Sequence, residues 1–132
     1  MKVLALDYGA ARTGVAVSDP TGTVARPLDV VERAGTDAGI ARLLELARRE
    51  GVEHVVVGLP VTLRGEHGSQ AEETRRFVER LRAATDLTVE TFDERFTTAL
   101  ARSAGGRASE DALAAAHLLS GYLQWKTTAR PA

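Results

Sequence analysis

Val3-Leu4-Ala5-Leu6-Asp7-Tyr8-Gly9 decides how this chain is read: an apolar run ends in a carboxylate, and a glycine turn follows at once. The run reads as a buried strand, and a carboxylate at its mouth either meets cations or hydrogen-bond donors or loses its charge. After the turn, Gly14 to Val17 reads as a second strand, and Asp19-Pro20-Thr21-Gly22 has proline early and glycine late, the pattern of a tight turn. A third strand falls within Val24 to Val31, where Pro27 marks an edge or a bulge. Connections this short make the three antiparallel.

Beyond them the pattern becomes helix and strand in alternation. Thr36 can cap a helix whose apolar residues Ile40, Leu43, Leu44 and Ala47 recur at three-and-four spacing, and Gly51 can end it. His54 to Val57 is a short strand closed by Gly58-Leu59-Pro60. Gln70 to Ala84 returns to helical spacing through Phe77, Val78 and Leu81, and Thr88 to Phe92 is a fifth strand. Thr97 or Thr98 opens a short helix that Gly105-Gly106 breaks. Ser109 caps a last one from Glu110 to about Trp125. The expectation is an α/β fold in one domain, residues 1–126, with a tail from 127 to 132. Its sheet is mixed, a three-strand meander followed by parallel strands, with helices on both faces.

Composition narrows the function. A chain of 132 residues with 44% hydrophobic content suits a single core, and the absence of cysteine excludes disulfides, zinc-thiolate sites and a cysteine nucleophile. No apolar stretch approaches the roughly 20 residues that span a bilayer. The N-terminus also lacks the plan of a signal peptide, so a cytoplasmic protein without membrane contact is expected. Seventeen basic against eighteen acidic residues give a net charge of -1, so any nucleic-acid binding must rest on a local basic face. The clusters Arg48-Arg49 and Arg75-Arg76 with Arg80 and Arg82 read first as solvated helix faces.

Three acidic sites stand at the ends of elements: Asp7, the pair Asp93-Glu94 after the fifth strand, and Asp111 in the first turn of the last helix. If the first and fifth strands are parallel, their C-terminal ends open on one edge, where ligands of open α/β sheets sit. Together the acids make an all-oxygen set suited to Mg2+ or Mn2+. Two such ions roughly 4 Å apart can activate water and stabilise the leaving oxygen in phosphodiester hydrolysis. Each acid also has a plain reading, as turn, surface pair or helix-dipole residue. Against this, Asp111 shares a helical stripe with Ala115, Leu118, Leu119 and Tyr122, an apolar face where a merely solvated acid is out of place. The three histidines show no ligand spacing, and no serine has a recognisable base motif.

These residues resemble the YqgF, or RuvX, family of the RNase H-like superfamily. The resemblance rests on four blocks in order: Asp7-Tyr8-Gly9 with Arg12 and Gly14 to Asp19; Gly58-Leu59-Pro60 with Gly65, Gly68, Gln70-Ala71 and Phe77; Asp93 to Thr98 with Ala101; and Asp111, Ala115, Leu119 and Tyr122-Leu123. It implies an RNase H-like fold and a metal-dependent nuclease whose catalytic and metal-binding acids are Asp7, one of the Asp93-Glu94 pair, with Glu94 preferred, and Asp111. Strand alternation in the sequence does not say which of the pair faces Asp7.

Gly9, Arg12 and Arg95 are implied as substrate contacts. The family is linked to maturation of the 5′ end of pre-16S ribosomal RNA, and its fold is similar to that of Holliday junction resolvases. The partner is therefore structured RNA or branched DNA, handled by a monomer or a homodimer. The chain departs from the family in having Ala11 before Arg12 where lysine is common, Thr62-Leu63 where Asn-Met is common, and a short connection from Thr98 to Asp111. Fewer basic residues predict weaker, less salt-dependent binding. Two other classes stand beside the nuclease: an actin-like phosphotransferase, for which the chain is too short, and a non-catalytic RNA-binding assembly factor.

Overall fold

In the computed structural model, which describes residues 1–60, 68–93 and 108–129, the chain builds one five-stranded sheet. Its strands are β1 (Val3–Asp7), β2 (Arg12–Ser18), β3 (Ala25–Glu32), β4 (His54–Leu59) and β5 (Thr88–Asp93), ordered β3-β2-β1-β4-β5. β1 and β3 run antiparallel to β2, whereas β4 is parallel to β1 and β5 to β4. The expected mixed sheet is therefore observed, with β1 at its centre.

The helices are α1 (Asp37–Glu50), α2 (Ser69–Ala84) and α3 (Ala108–Ala129). α1 and α2 cover one face, where Ile40, Leu43, Phe77 and Leu81 meet Leu4, Leu6, Val15, Val55 and Val57. α3 covers the other, where Ala115, Leu118, Leu119 and Tyr122 meet Val3, Ala5, Ala16, Val56 and Phe92. With both faces covered, β1 and β4 need apolar residues at every position, hence their unbroken runs.

Local signals act as their chemistry dictates. Thr36 caps α1, its Oγ1 accepting from Gly39 N–H at 3.1 Å. Gly51 ends the helix at φ 69°, in the left-handed region that glycine enters without penalty, and its N–H reaches Ala47 and Arg48 carbonyls. Pro27 lies on the edge strand β3 beside a register shift, since Val15 pairs with Asp29 and Ala16 with Pro27.

Several boundaries differ from the sequence expectation. β2 begins at Arg12 because Arg12 pairs with Glu32 across the ladder, a contact invisible locally. α3 begins at Ala108, so Ser109 lies in its first turn rather than before it, and it runs on to Ala129, through part of the expected tail. The short helix expected after Thr97 lies outside the described residues. No helix of the described residues is long and apolar enough to cross a membrane.

Candidate active site at the C-terminal edge of the sheet

The parallel strands β1, β4 and β5 all end on one edge, and Asp7 is the last residue of β1. Side chains alternate along a strand, so Asp7 shares the α3 face with Val3 and Ala5. Across the ladder Asp7 is in register with Gly14. A Cβ built on Gly14 would lie 1.8 Å from the Asp111 carbonyl oxygen and 3.1 Å from Ala112 N. The first turn of α3 thus rests directly on the β2 backbone, which only glycine permits, and Asp111 is brought to the corner that Asp7 occupies. Cα atoms paired across an antiparallel ladder are about 5 Å apart, so both acids fall within one small site.

Asp111 heads the buried stripe of α3 as its spacing implies, with Ala115 and Leu119 fully buried below it. Arg12 Nε lies 2.8 Å from Asp111 Oδ2. The guanidinium is nonetheless not aimed with hydrogen-bond geometry, and among the described residues no donor bonds that buried oxygen. A buried carboxylate oxygen with charge nearby but no directed bond keeps its coordinating lone pairs available, as a hard cation requires.

The Asp93-Glu94 pair divides on phase. Val89 packs on the α1 and α2 face, while Phe92 packs under α3 and Glu90 reaches Tyr122 of α3. By alternation Asp93 stands with Val89, on the face opposite Asp7 and Asp111. Glu94 and Arg95 lie outside the described residues. Among the described residues no three His, Cys, Asp or Glu side chains group closely enough to hold a metal. The two acids brought together fit such an ion in donor chemistry, and a third donor has to come from elsewhere.

Gly9 has a structural task. Its N–H donates to Thr13 Oγ1 at 3.3 Å, and a Cβ there would lie 2.5 Å from the Arg12 carbonyl oxygen. It closes the turn that leads into β2, where Arg12 meets Asp111. Thr13, fully buried, and Tyr8, stacked on Phe77 with centroids 4.3 Å apart, fix this turn from inside. Burial and the Glu73 carboxylate push the Tyr8 phenol above its ordinary pKa, against the pull of Arg80 and Arg76, so it stays protonated. Sequence reasoning passed over Thr13 and the Tyr8–Phe77 stack, since neither belongs to a local pattern.

The remaining polar cluster lies at the other end of the sheet. His54 Nε2 contacts Glu90 Oε1, and Tyr122 O–H donates to that oxygen at 2.5 Å while lying 3.1 Å from His54 Nε2. His54 opens β4, at the edge away from Asp7, and is buried, in line with a structural histidine. A cleft of about 1320 Å³ follows the outer edge of β3 past Arg12 and Ala112, and Asp7 is not among the residues that line it.

The chain is similar to known proteins. The model of the family described as "RuvX: Holliday junction resolvase" matches residues 1–125. A protein of Rubrobacter xylanophilus named "Putative pre-16S rRNA nuclease" is 47% identical over 131 residues, covering 93% of this chain and 92% of its own. Proteins of the same name from Moorella thermoacetica and Chloroflexus aurantiacus are 42% and 41% identical, covering 93% and 92% of this chain and 94% and 85% of theirs. Among solved structures, RuvC of T. thermophilus in complex with a Holliday junction substrate superposes with a TM-score of 0.60 at 21% identity, covering 96% of this chain and 97% of that one. That likeness shows the expected RNase H-like fold, shared with RuvC.

Proposed function

The chain belongs to the RuvX family of nucleases, and on that premise we propose that Asp7, Glu94 and Asp111 bind Mg2+ or Mn2+ and direct hydrolysis of phosphodiester bonds at the 5′ end of pre-16S rRNA. One observation supports the reading: Asp7 is in register with Gly14, and the first turn of α3, which carries Asp111 and its buried carboxylate oxygen, rests on that same glycine. Asp93 stands on the opposite face, which favours Glu94 as the acid of the pair that joins them.

When bound, divalent cations supply Lewis acidity and ease deprotonation of the attacking water. The protein's own part is positional. Asp7 and Asp111 offer hard oxygens from two rigid elements, a central strand and a long helix, which keeps their separation fixed. Arg12 and Arg95 contact phosphate, and Gly9 shapes the turn that presents Arg12. End trimming of RNA needs only a monomer, and an rRNA-processing enzyme works in the cytoplasm.

The family description favours a second reading, resolution of four-way DNA junctions, which calls for a two-fold dimer to cut two strands symmetrically. The test is cleavage of a 5′-extended 16S rRNA fragment and a four-way DNA junction, side by side, with Mg2+, with Mn2+ and with chelator. Metal-dependent cleavage of the RNA that Asp7→Asn abolishes is expected. Preferential cutting of the junction selects the second reading. Undiminished cleavage by Asp7→Asn shows the site to be misassigned, and chelator-insensitive RNA binding without turnover points to a non-catalytic assembly factor.

A further inference from the structure

Arg76 and Arg80, which read in sequence as part of a solvated helix face, line a cleft of about 490 Å³ on the far side of the Asp7-Tyr8 turn. Arg33 lines it as well, Tyr8 and Phe77 form its inner wall, and Glu73 is the acid among the lining residues. Asp7 and Tyr8 are consecutive, so their side chains leave the same sheet edge toward opposite faces. A nucleic-acid strand laid across that edge at Asp7 runs directly onto this cleft.

Its chemistry suits a phosphodiester backbone rather than a base. Arg33 and Arg76 are exposed and have no ion pair among the described residues. Arg80 is held in place by Asp37, at 3.0 Å from Nη2, and by the Gly35 carbonyl. Tyr8 is already stacked on Phe77 and its hydroxyl abuts Gly35, so its ring is a wall and not a free stacking platform. Guanidinium groups converging on an open cleft bind phosphate oxygens in pairs.

Arg33 also adopts φ 49°, a conformation costly to any residue with a Cβ and free to glycine. It is held there by its N–H to the Ala11 carbonyl, 3.0 Å, and by Thr36 N–H to its own carbonyl, 3.0 Å. Arg33 is therefore tied to the turn that carries Arg12.

We infer that Arg33, Arg76 and Arg80 form a second phosphate-binding cleft that grips the substrate strand beside the cleavage position. The inference rests on the nuclease reading above for the identity of the strand. It is tested by fluorescence anisotropy in chelator, across a salt series, on a labelled 5′-extended 16S rRNA fragment and a labelled four-way DNA junction. The proteins are wild type, Arg33→Ala/Arg76→Ala, the corresponding double lysine variant, and Arg49→Ala as an exposed control on α1, with melting temperatures to verify folding.

Removing one cation that neutralises a phosphate lowers the slope of log K against log salt by roughly 0.7 to 0.9, so the double alanine variant should shed about 1.5 from its slope and bind at least about tenfold more weakly. The lysine variant should keep most of the slope, and Arg49→Ala all of it. An unchanged slope and affinity in the double alanine variant, or an equal decrease in Arg49→Ala, overturns the cleft. Because binding in chelator needs no chemistry, the two readings fail separately. A protein whose binding depends on the cleft but which never cleaves retains the cleft and loses the nuclease. One that cleaves with an unaltered slope retains the nuclease and loses the cleft.

Discussion

Replacing Gly14 with alanine probes the contact that seats α3 on β2. The added Cβ would sit 1.8 Å from the Asp111 carbonyl oxygen, 2.4 Å from its carbon and 3.1 Å from Ala112 N, all backbone atoms that cannot swing aside. Real Cβ contacts under 3.0 Å essentially do not occur, so the first turn of α3 must lift by at least about 1.2 Å or β2 must sink. β2 is blocked from sinking by Val15 and Val17, fully buried on its other side. α3 is held down by Ala115, Leu118, Leu119 and Tyr122.

Overpacking costs about 1 to 3 kcal/mol, and contacts confined to backbone put this change near about 3, a fall of roughly 10 °C in melting temperature for a chain of this size. A displacement of about 1 Å at a catalytic group costs on the order of a hundredfold in rate. Thermal melting by circular dichroism and initial-rate cleavage of labelled RNA, below the melting transition, measure the two effects. A Gly14→Ala protein that melts within a degree or so of wild type and cleaves within about twofold of its rate would refute the seating of α3 on β2.

Three further outcomes follow from local geometry. Asp19 accepts from the Thr21 hydroxyl and from the Val24 and Thr23 N–H groups at 2.9 and 2.7 Å, which together hold its carboxyl well below the ordinary 3.8. Its folded pKa is depressed, so its contribution is complete above the unfolded value and is lost as pH falls below it. The melting-temperature gap between wild type and Asp19→Ala should be widest near neutrality and narrow on acidification through pH 4; a gap that widens in acid contradicts this. Thr36→Ala removes the α1 cap and should cost about 1 kcal/mol in urea unfolding, and no decrease means that the cap bond to Gly39 is not formed. Tyr122→Phe strips the hydroxyl from Glu90 and His54 and should cost about 1 to 2 kcal/mol with cleavage intact, because this cluster lies at the edge away from Asp7; loss of cleavage at unchanged stability would give the cluster a functional role.

What could be read from sequence was what is encoded locally. Thr36 and Gly51 announced the ends of α1, Pro27 announced an edge strand, and the order of elements announced the mixed sheet. Asp111 stood out by its place on an apolar stripe, which Ala115 and Leu119 continue as buried residues. The phase of β5 was not legible because Thr88-Val89-Glu90-Thr91-Phe92-Asp93 has one apolar residue for each face, Val89 on one and Phe92 on the other. Packing against helices, which sequence spacing does not reveal, fixes it and sets Asp93 apart from Asp7. Gly14 likewise read only as the opening residue of a strand, and its meaning comes from a helix almost a hundred positions further along the chain. Arg33 and the Tyr8–Phe77 stack were silent for the same reason: each is defined by a partner remote in sequence.

The most direct measurement is a crystal structure of the protein with Mn2+, the ion located by its anomalous scattering. The account predicts Mn2+ held by carboxylate oxygens of both Asp7 and Asp111, with Glu94 and not Asp93 completing the set and Arg12 beside it. Carboxylates of Asp7 and Asp111 more than about 10 Å apart, or an ion bound by Asp93 in place of Asp7, would contradict it.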